Sequence, residues 1–275
     1  MANITAALVN ELRKRTGVGM MDCKKALVEC DGDMDKAIDY LREKGQKLAA
    51  KRADRDASEG AVLAAVNQDK TFAAVIMMNC ETDFVAKNED FVAFSRSILE
   101  AAVASKVKTL EEVMALTIEG KSVETMIIEQ VAKIGEKITL THYLPVEAVA
   151  TYAYIHPGNR MASVVGMSKT GYDDEGKEMA MQVIAGRPVA LTKDTVPAEV
   201  IEREMEVYRG QVREEGKPEN MVEKIAEGKL NKFFKESTLL SQEYTREAKV
   251  SVEEHLKKID KDLTVTAFQR LELGE

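Results

Sequence analysis

Apolar side chains recur every three or four residues through the first forty positions of the chain. Ile4, Leu8 and Leu12, with Val9 beside them, share one helical face, and Thr5 stands where a cap would start the helix. Thr16-Gly17-Val18-Gly19 breaks the pattern, because glycine enters turn conformations without steric cost. A second helix carries Met21, Ala26, Leu27 and Cys30 as far as the turn Cys30-Asp31-Gly32-Asp33. A third runs from Asp33 through Ala37, Ile38 and Leu41 to Gly45, and the charged run from Lys51 to Glu59 reads as a linker. Three short helices bury little surface, so residues 1–56 are expected to form a small module of marginal intrinsic stability.

The period then changes. Ala61 to Val66 and Thr71 to Cys80 are apolar runs separated by Asn67-Gln68-Asp69-Lys70, a good hairpin connection. Phe91, Phe94, Ile98, Leu99 and Ala102 are spaced for one helical face. Ile127, Val131 and Ile134, with Met126 alongside, mark another helix. Ile138, Leu140, His142 and Leu144 alternate as in a strand with one buried face. The order β-β-α-α-β makes residues 57–146 an α+β subdomain.

A second α+β subdomain is expected from residues 147–196 and 236–275. Val149 to Ile155 and Met161 to Met167 flank the turn His156-Pro157-Gly158-Asn159-Arg160. Glu178 to Ala185 is a short helix, and Leu263 to Leu273 alternates like a strand. The likeness of the two units hints at an internal duplication, although no sequence repeat is visible. Inserted between, residues 197–235 read as an antiparallel helical hairpin. Ile201, Met205, Tyr208 and Val212 follow the 4-3-4 spacing of a coiled-coil seam. Gly216-Lys217-Pro218-Glu219 breaks it, and Val222, Ala226, Leu230 and Phe233 continue on the second arm. Its surface serves packing alone or self-association into a homodimer. The fold class is therefore α+β with small antiparallel sheets.

Composition narrows the function. The chain has 39 basic and 47 acidic side chains, a formal charge of −8. A nucleic-acid binder needs a cationic face to displace counterions, and here the basic patch Lys47 to Arg52 is followed at once by Asp54 and Asp56. The absence of tryptophan also leaves few platforms for stacking bases. Direct nucleic-acid binding is not expected as the main task; a protein partner fits better. No apolar run approaches the ~18–20 residues that cross a bilayer, so no membrane role is expected. Met1-Ala2-Asn3-Ile4 lacks the basic and apolar regions of a secretory signal, so the expected location is cytoplasmic. In that compartment Cys23, Cys30 and Cys80 are read as reduced thiols.

Catalytic signatures fail on inspection. Ala115-Leu116-Thr117-Ile118-Glu119-Gly120-Lys121-Ser122 imitates a phosphate-binding loop, but alanine replaces the first glycine and Glu119 stands where phosphates would lie. Gly166-Met167-Ser168-Lys169-Thr170-Gly171 runs on into Tyr172-Asp173 instead of Lys-Ser or Lys-Thr. His142, His156 and His255 are widely separated and suggest neither a metal site nor a catalytic pair. No enzyme, metal or cofactor is expected.

Two stretches say more. Leu12-Arg13-Lys14-Arg15-Thr16-Gly17-Val18-Gly19-Met20-Met21-Asp22-Cys23-Lys24-Lys25-Ala26-Leu27 and Asn79-Cys80-Glu81-Thr82-Asp83-Phe84-Val85-Ala86-Lys87 closely resemble the two motifs of the elongation factor Ts family. Segment order and the helical hairpin match as well, so the resemblance covers nearly the whole chain. Two departures stand out. The family commonly has glutamate at Met77, and some members carry a further C-terminal helix, whereas this sequence stops at Leu273-Gly274-Glu275.

The residues have a reading of their own. Thr82 stands where an N-cap would follow a strand ending near Cys80, and Asp83 in the first turn suits the positive end of a helix. By residue type alone Phe84 plugs the core; Met21 likewise is core, Arg13 a solvated charge and His156 a hydrogen-bonded turn residue. The resemblance implies otherwise: Asp83 and Phe84, flanked by Thr82 and Val85, form a wedge that disturbs the magnesium and phosphate site of a GTPase. It implies that the N-terminal module is ubiquitin-associated-like and grips that GTPase through Arg13, Met20 and Met21. It also implies that His156 and Arg160 reach another of its domains. The implied partner is elongation factor Tu, GDP-bound and nucleotide-free, and the implied activity is non-enzymatic guanine nucleotide exchange in translation elongation.

Overall fold

The computed structural model describes residues 4–275; Met1, Ala2 and Asn3 lie outside the described residues. Helix α1 (Ala6–Thr16) starts under Thr5, whose hydroxyl accepts from the Leu8 N–H, and ends where Gly17 turns left-handed at φ 70°. Helix α2 (Met20–Glu29) leads to α3 (Met34–Lys51), capped by the Asp33 carboxylate. Leu12, Cys23, Ala26, Leu27, Ala37 and Leu41 close a small core between the three. Against expectation, α3 does not stop at Gly45 but continues to Lys51. Gly45 is needed for close approach, not termination: a Cβ there would lie 2.9 Å from the Cβ of Ala132 on a neighbouring helix.

Strands β1 (Glu59–Val66) and β2 (Phe72–Cys80) form the expected hairpin, pairing Glu59 with Cys80 through to Val66 with Ala73. The chain then passes through α4 (Asp83–Ala86), α5 (Glu89–Ala104) and α6 (Leu110–Ala115). Next comes a tight hairpin of β3 (Thr117–Ile118) and β4 (Lys121–Ser122), then α7 (Val123–Ile134). The imitation phosphate loop is this hairpin, its turn made by Glu119 and Gly120 at positive φ. Strand β5 (Thr139–Glu147) returns beside β2, giving an antiparallel sheet of order β1-β2-β5. Apolar faces of α5 and α7, including Phe91, Ile98, Leu99, Ile127 and Val131, pack on one face of it.

The second sheet repeats the pattern. Strands β6 (Ala150–Ile155), β7 (Met161–Met167) and β8 (Val265–Glu272) stand in that order, all antiparallel. Helix α8 (Asp173–Gly186) covers the sheet and begins five residues before Glu178, its polar first turn having hidden the start. The hairpin of α9 (Ala198–Glu214) and α10 (Glu219–Ser237) buries Met205, Val212, Val222 and Ala226 along its seam. Helix α11 (Val252–Ile259) completes the second core with Val252 and Leu256. The two sheets share a third core, in which Val62, Val75 and Met77 meet Ala162, Val164 and Leu271. Met77 is buried there, where a thioether packs without the desolvation a carboxylate would suffer. Among the described residues no helix is long and apolar enough to cross a membrane.

Candidate functional site

The central strand of the first sheet, β2, ends at Cys80. Its thiol is buried, donates to the Thr82 carbonyl at 3.2 Å, and is pushed up to about 12 by burial and by the nearby Glu136 carboxylate. Thr82 is extended (φ −124°, ψ 153°), and its hydroxyl oxygen accepts the Val85 N–H at 3.4 Å, so the chain leaves the strand directly into α4. Asp83 sits in the first turn and receives the Lys87 ammonium at 2.6 Å, which holds its carboxyl below the ordinary range.

Four residues of helix then present two faces. Ala86 is buried and Val85 half-buried against the first core, while Phe84 points outward with 83% of its surface exposed. It is the most exposed large apolar side chain among the described residues. Reading Phe84 as a core plug therefore fails. The inward positions on this short turn are taken by Val85 and Ala86, and the ring is left over. Beside it Asn88, Asp90, Gln130, Lys133 and Ile134 line a shallow groove.

The N-terminal module contributes a second apolar spot. Met20 and Met21 open α2 behind Gly19 and are 50% and 66% exposed, so Met21 is not core either. Arg13 is exposed on the last turn of α1. Lys133 on the last turn of α7 connects the two regions: its side chain lies against Gly17 and also lines the groove at Phe84. Helix α7 thus carries the module's Gly17 turn and the Phe84 corner at one end.

His156 and Arg160 lie in the β6–β7 turn, which is anchored elsewhere. The Asn159 carbonyl accepts from Val62 of β1, and the Arg160 carbonyl accepts from Leu273 just after β8. His156 is exposed, with Nδ1 3.2 Å from the Tyr154 hydroxyl, and the Arg160 guanidinium meets Glu59 at 2.9 Å. The structure therefore keeps Thr82 to Val85 together at one corner and Arg13, Met20 and Met21 exposed on α1 and α2, with Lys133 of α7 touching the Gly17 turn and the Phe84 groove, and leaves His156 and Arg160 on a separate turn.

Glu81, Glu136 and Arg52 stand out only in three dimensions. The Glu136 carboxylate accepts three hydrogen bonds from Glu81 and Thr82, and Glu81 in turn receives Arg52 and the Lys137 N–H. Glu136 lies 54 residues from Thr82, beyond the reach of any local pattern; the helix-ending Gly135 before it was the one local cue. Among the described residues no cluster of three or more His, Cys, Asp or Glu side chains is arranged to hold a metal ion.

Comparison with known proteins agrees with the motifs. The family profile described as "Elongation factor TS" matches residues 81–275, and that described as "Elongation factor Ts, mitochondrial, N-terminal" matches residues 1–49. The chain is 50% identical to an elongation factor Ts of Christiangramia forsetii over 276 residues, covering 100% of both chains. It is 47% identical to one of Amoebophilus asiaticus, over 98% of this chain and 99% of the relative. A third, from Chlorobium phaeobacteroides, is 42% identical with 100% of both covered.

Proposed function

We propose, because the chain belongs to the elongation factor Ts family, that it is a cytoplasmic, non-enzymatic guanine nucleotide exchange factor for elongation factor Tu. It engages the GDP-bound GTPase, weakens its hold on magnesium and diphosphate, and stays on the empty form until GTP rebinds. The single observation carrying this reading is Phe84, an apolar ring left in solvent at the head of a helix whose base is fixed to a sheet. A soluble fold gains nothing of its own from that exposure, whereas a partner that buries the ring does.

The lever is modest by itself. Burying one phenylalanine is worth about 1.5–3 kcal/mol, a factor of roughly ten to a hundred or slightly more. Asp83 accompanies the ring into a site whose metal neutralises the diphosphate charge, so displacing that metal loosens GDP. Thr82 and Val85 carry the wedge. Arg13, Met20 and Met21 grip the GTPase domain, the two thioethers adapting to an apolar surface. His156 and Arg160 reach a further domain of the partner. In this scheme the chain divides into a gripping module (1–56), a wedge-bearing subdomain (57–146), a second subdomain (147–196 with 236–275) and the hairpin (197–235). The hairpin serves packing alone or is the surface for a homodimer. Binding is reciprocal: whatever factor by which the protein weakens GDP, GDP weakens the protein.

The test is release of fluorescent GDP from elongation factor Tu with and without this protein. Acceleration supports the reading. Binding with an unchanged release rate would make the protein a scaffold instead.

A further inference from the structure

Helix α4 is too short to hold its own direction. One turn fixes many backbone angles for few hydrogen bonds, and here those are Ala86 N–H to the Thr82 carbonyl and Lys87 N–H to the Asp83 carbonyl. Phe84, standing in solvent, receives no orientation from packing. Direction must come from the two ends of the helix. Ala86, with Val85 half-buried beside it, is seated in the first core at one end. At the other end lies a carboxylate from a distant part of the chain.

Gly135 ends α7 in the left-handed conformation at φ 85°, and the residues after it run beside the corner. Glu136 Oε2 accepts the N–H groups of Glu81 at 3.2 Å and Thr82 at 3.0 Å, and Oε1 accepts the Thr82 hydroxyl at 2.7 Å. Because the hydroxyl hydrogen is committed to Glu136, its oxygen is turned toward Val85 as the helix cap. The knot is tied from the other side as well. Glu81 Oε1 accepts the Lys137 N–H at 2.6 Å and the Arg52 guanidinium at 2.6 Å. Arg52 directly follows α3, so the N-terminal module enters the same network.

We propose that Glu136 is a positioning residue for nucleotide exchange, its carboxylate holding Glu81 and Thr82 so that α4 presents Phe84 in one fixed direction. This rests on the exchange-factor reading above. The wedge works against a partner that resists deformation, and a ring on a swivelling turn would yield before the partner did. Preorganisation of this kind removes the ordering cost at the moment of contact, and misplacement by about 1 Å at a working site can cost on the order of a hundredfold.

The experiment compares Glu136→Ala and Glu136→Gln with wild type in GDP release from elongation factor Tu across a range of factor concentrations. Glu136→Ala is expected to lower the maximal stimulated rate by on the order of tenfold, with the half-saturating concentration moving by about twofold or less. Glu136→Gln, which keeps one carbonyl oxygen, falls between. A merely structural role would not predict the next result: the double variant Glu136→Ala/Phe84→Ala releases GDP no more slowly than Phe84→Ala alone, because an absent ring needs no positioning. Hydrogen exchange at the Thr82 and Val85 amides should speed up in Glu136→Ala while the amides of β2 stay protected. If the alanine variant does not fold, the glutamine variant carries the same comparisons. Wild-type release rates in both variants, or full additivity with Phe84→Ala, overturn the proposal. If wild-type protein fails to accelerate release, the exchange-factor reading falls instead, and the exchange of the Thr82 amide still decides whether Glu136 holds the corner.

Discussion

The central strand of each sheet ends in a polar corner with an aromatic residue at the start of a helix, and the two corners treat that residue in opposite ways. After β2, Glu136 holds the backbone of Glu81 and Thr82, and the Phe84 ring is left in water. After β7, the grip is on the aromatic itself. The Tyr172 hydroxyl donates to Asp260 at 2.7 Å, and Lys169 gives its ammonium to both Asp260 oxygens at 2.7 and 2.8 Å. Ser168 ties the strand end to the Asp262 carbonyl and the Thr264 N–H. Tyr172 lies half-buried against the second core. A hydroxyl gives a corner something to hold; a bare phenyl ring gives it nothing. The first corner is thus built to present its ring and the second to retain it.

The sharpest break of this contrast is Phe84→Ala. Removing a ring that is 83% exposed takes almost nothing from the folded state, so the melting temperature should move by less than about 2 °C. Stimulated GDP release should nevertheless fall by roughly ten- to a hundredfold, the worth of one buried phenylalanine at the partner. A collapse of stability with release following in proportion would mean that the ring serves this fold and not a neighbour.

Tyr172→Phe is the converse, with a smaller effect expected. It deletes the hydroxyl that Asp260 holds and keeps the ring. Thermal melting should drop by roughly 2–4 °C, the shift that one charge-assisted hydrogen bond produces in a chain of this size. Stimulated release should stay within about twofold of wild type. A tenfold loss of release would put the second corner in the exchange machinery and end the distinction.

Much of the fold behind this contrast is legible in the sequence, although the contrast itself is not. Periodicity switches from 3.6 to 2 and back, so the longer helices, the β1–β2 and β6–β7 hairpins and the α+β class follow from the residues, whereas α11 and the small β3–β4 hairpin do not. Misreadings came where tertiary contact chose a residue that local chemistry assigns elsewhere. Gly45 reads as a stop but is a contact with Ala132. The polar turn Asp173-Asp174-Glu175 has no apolar period to announce α8. At the site, Thr82 as a cap was readable because capping is local. The outward ring was not, because residue type favours burial and only the motif's resemblance suggested otherwise. Glu136 was beyond reading, since its bonds span 54 residues.

Acid should separate the corners by the smallest margin. Hydrogen bonds from Lys169, then from the Asp262 N–H and the Tyr172 hydroxyl, hold the Asp260 carboxyl far below its ordinary 3.8. A carboxyl depressed in the folded state contributes stability above its unfolded value and loses it as pH falls toward the folded one. Lys169 is shifted upward from 10.5, so its contribution is complete throughout the acid range. Asp260→Asn should therefore melt a few degrees below wild type at pH 5, and the gap should narrow as pH falls below about 3.8. Asp83 is depressed too, by Lys87, but that pair lies in water with side chains 48% and 77% exposed. Solvent and salt screen it, so Asp83→Asn should track wild type within about 1 °C from pH 5 to about 2.5. Melting curves of the three proteins in ~0.1 M salt read both effects together. A constant gap for Asp260→Asn would show that its carboxylate is not the element holding Tyr172. A wide gap for Asp83→Asn would show that the first corner is held by its surface ion pair and not by Glu136.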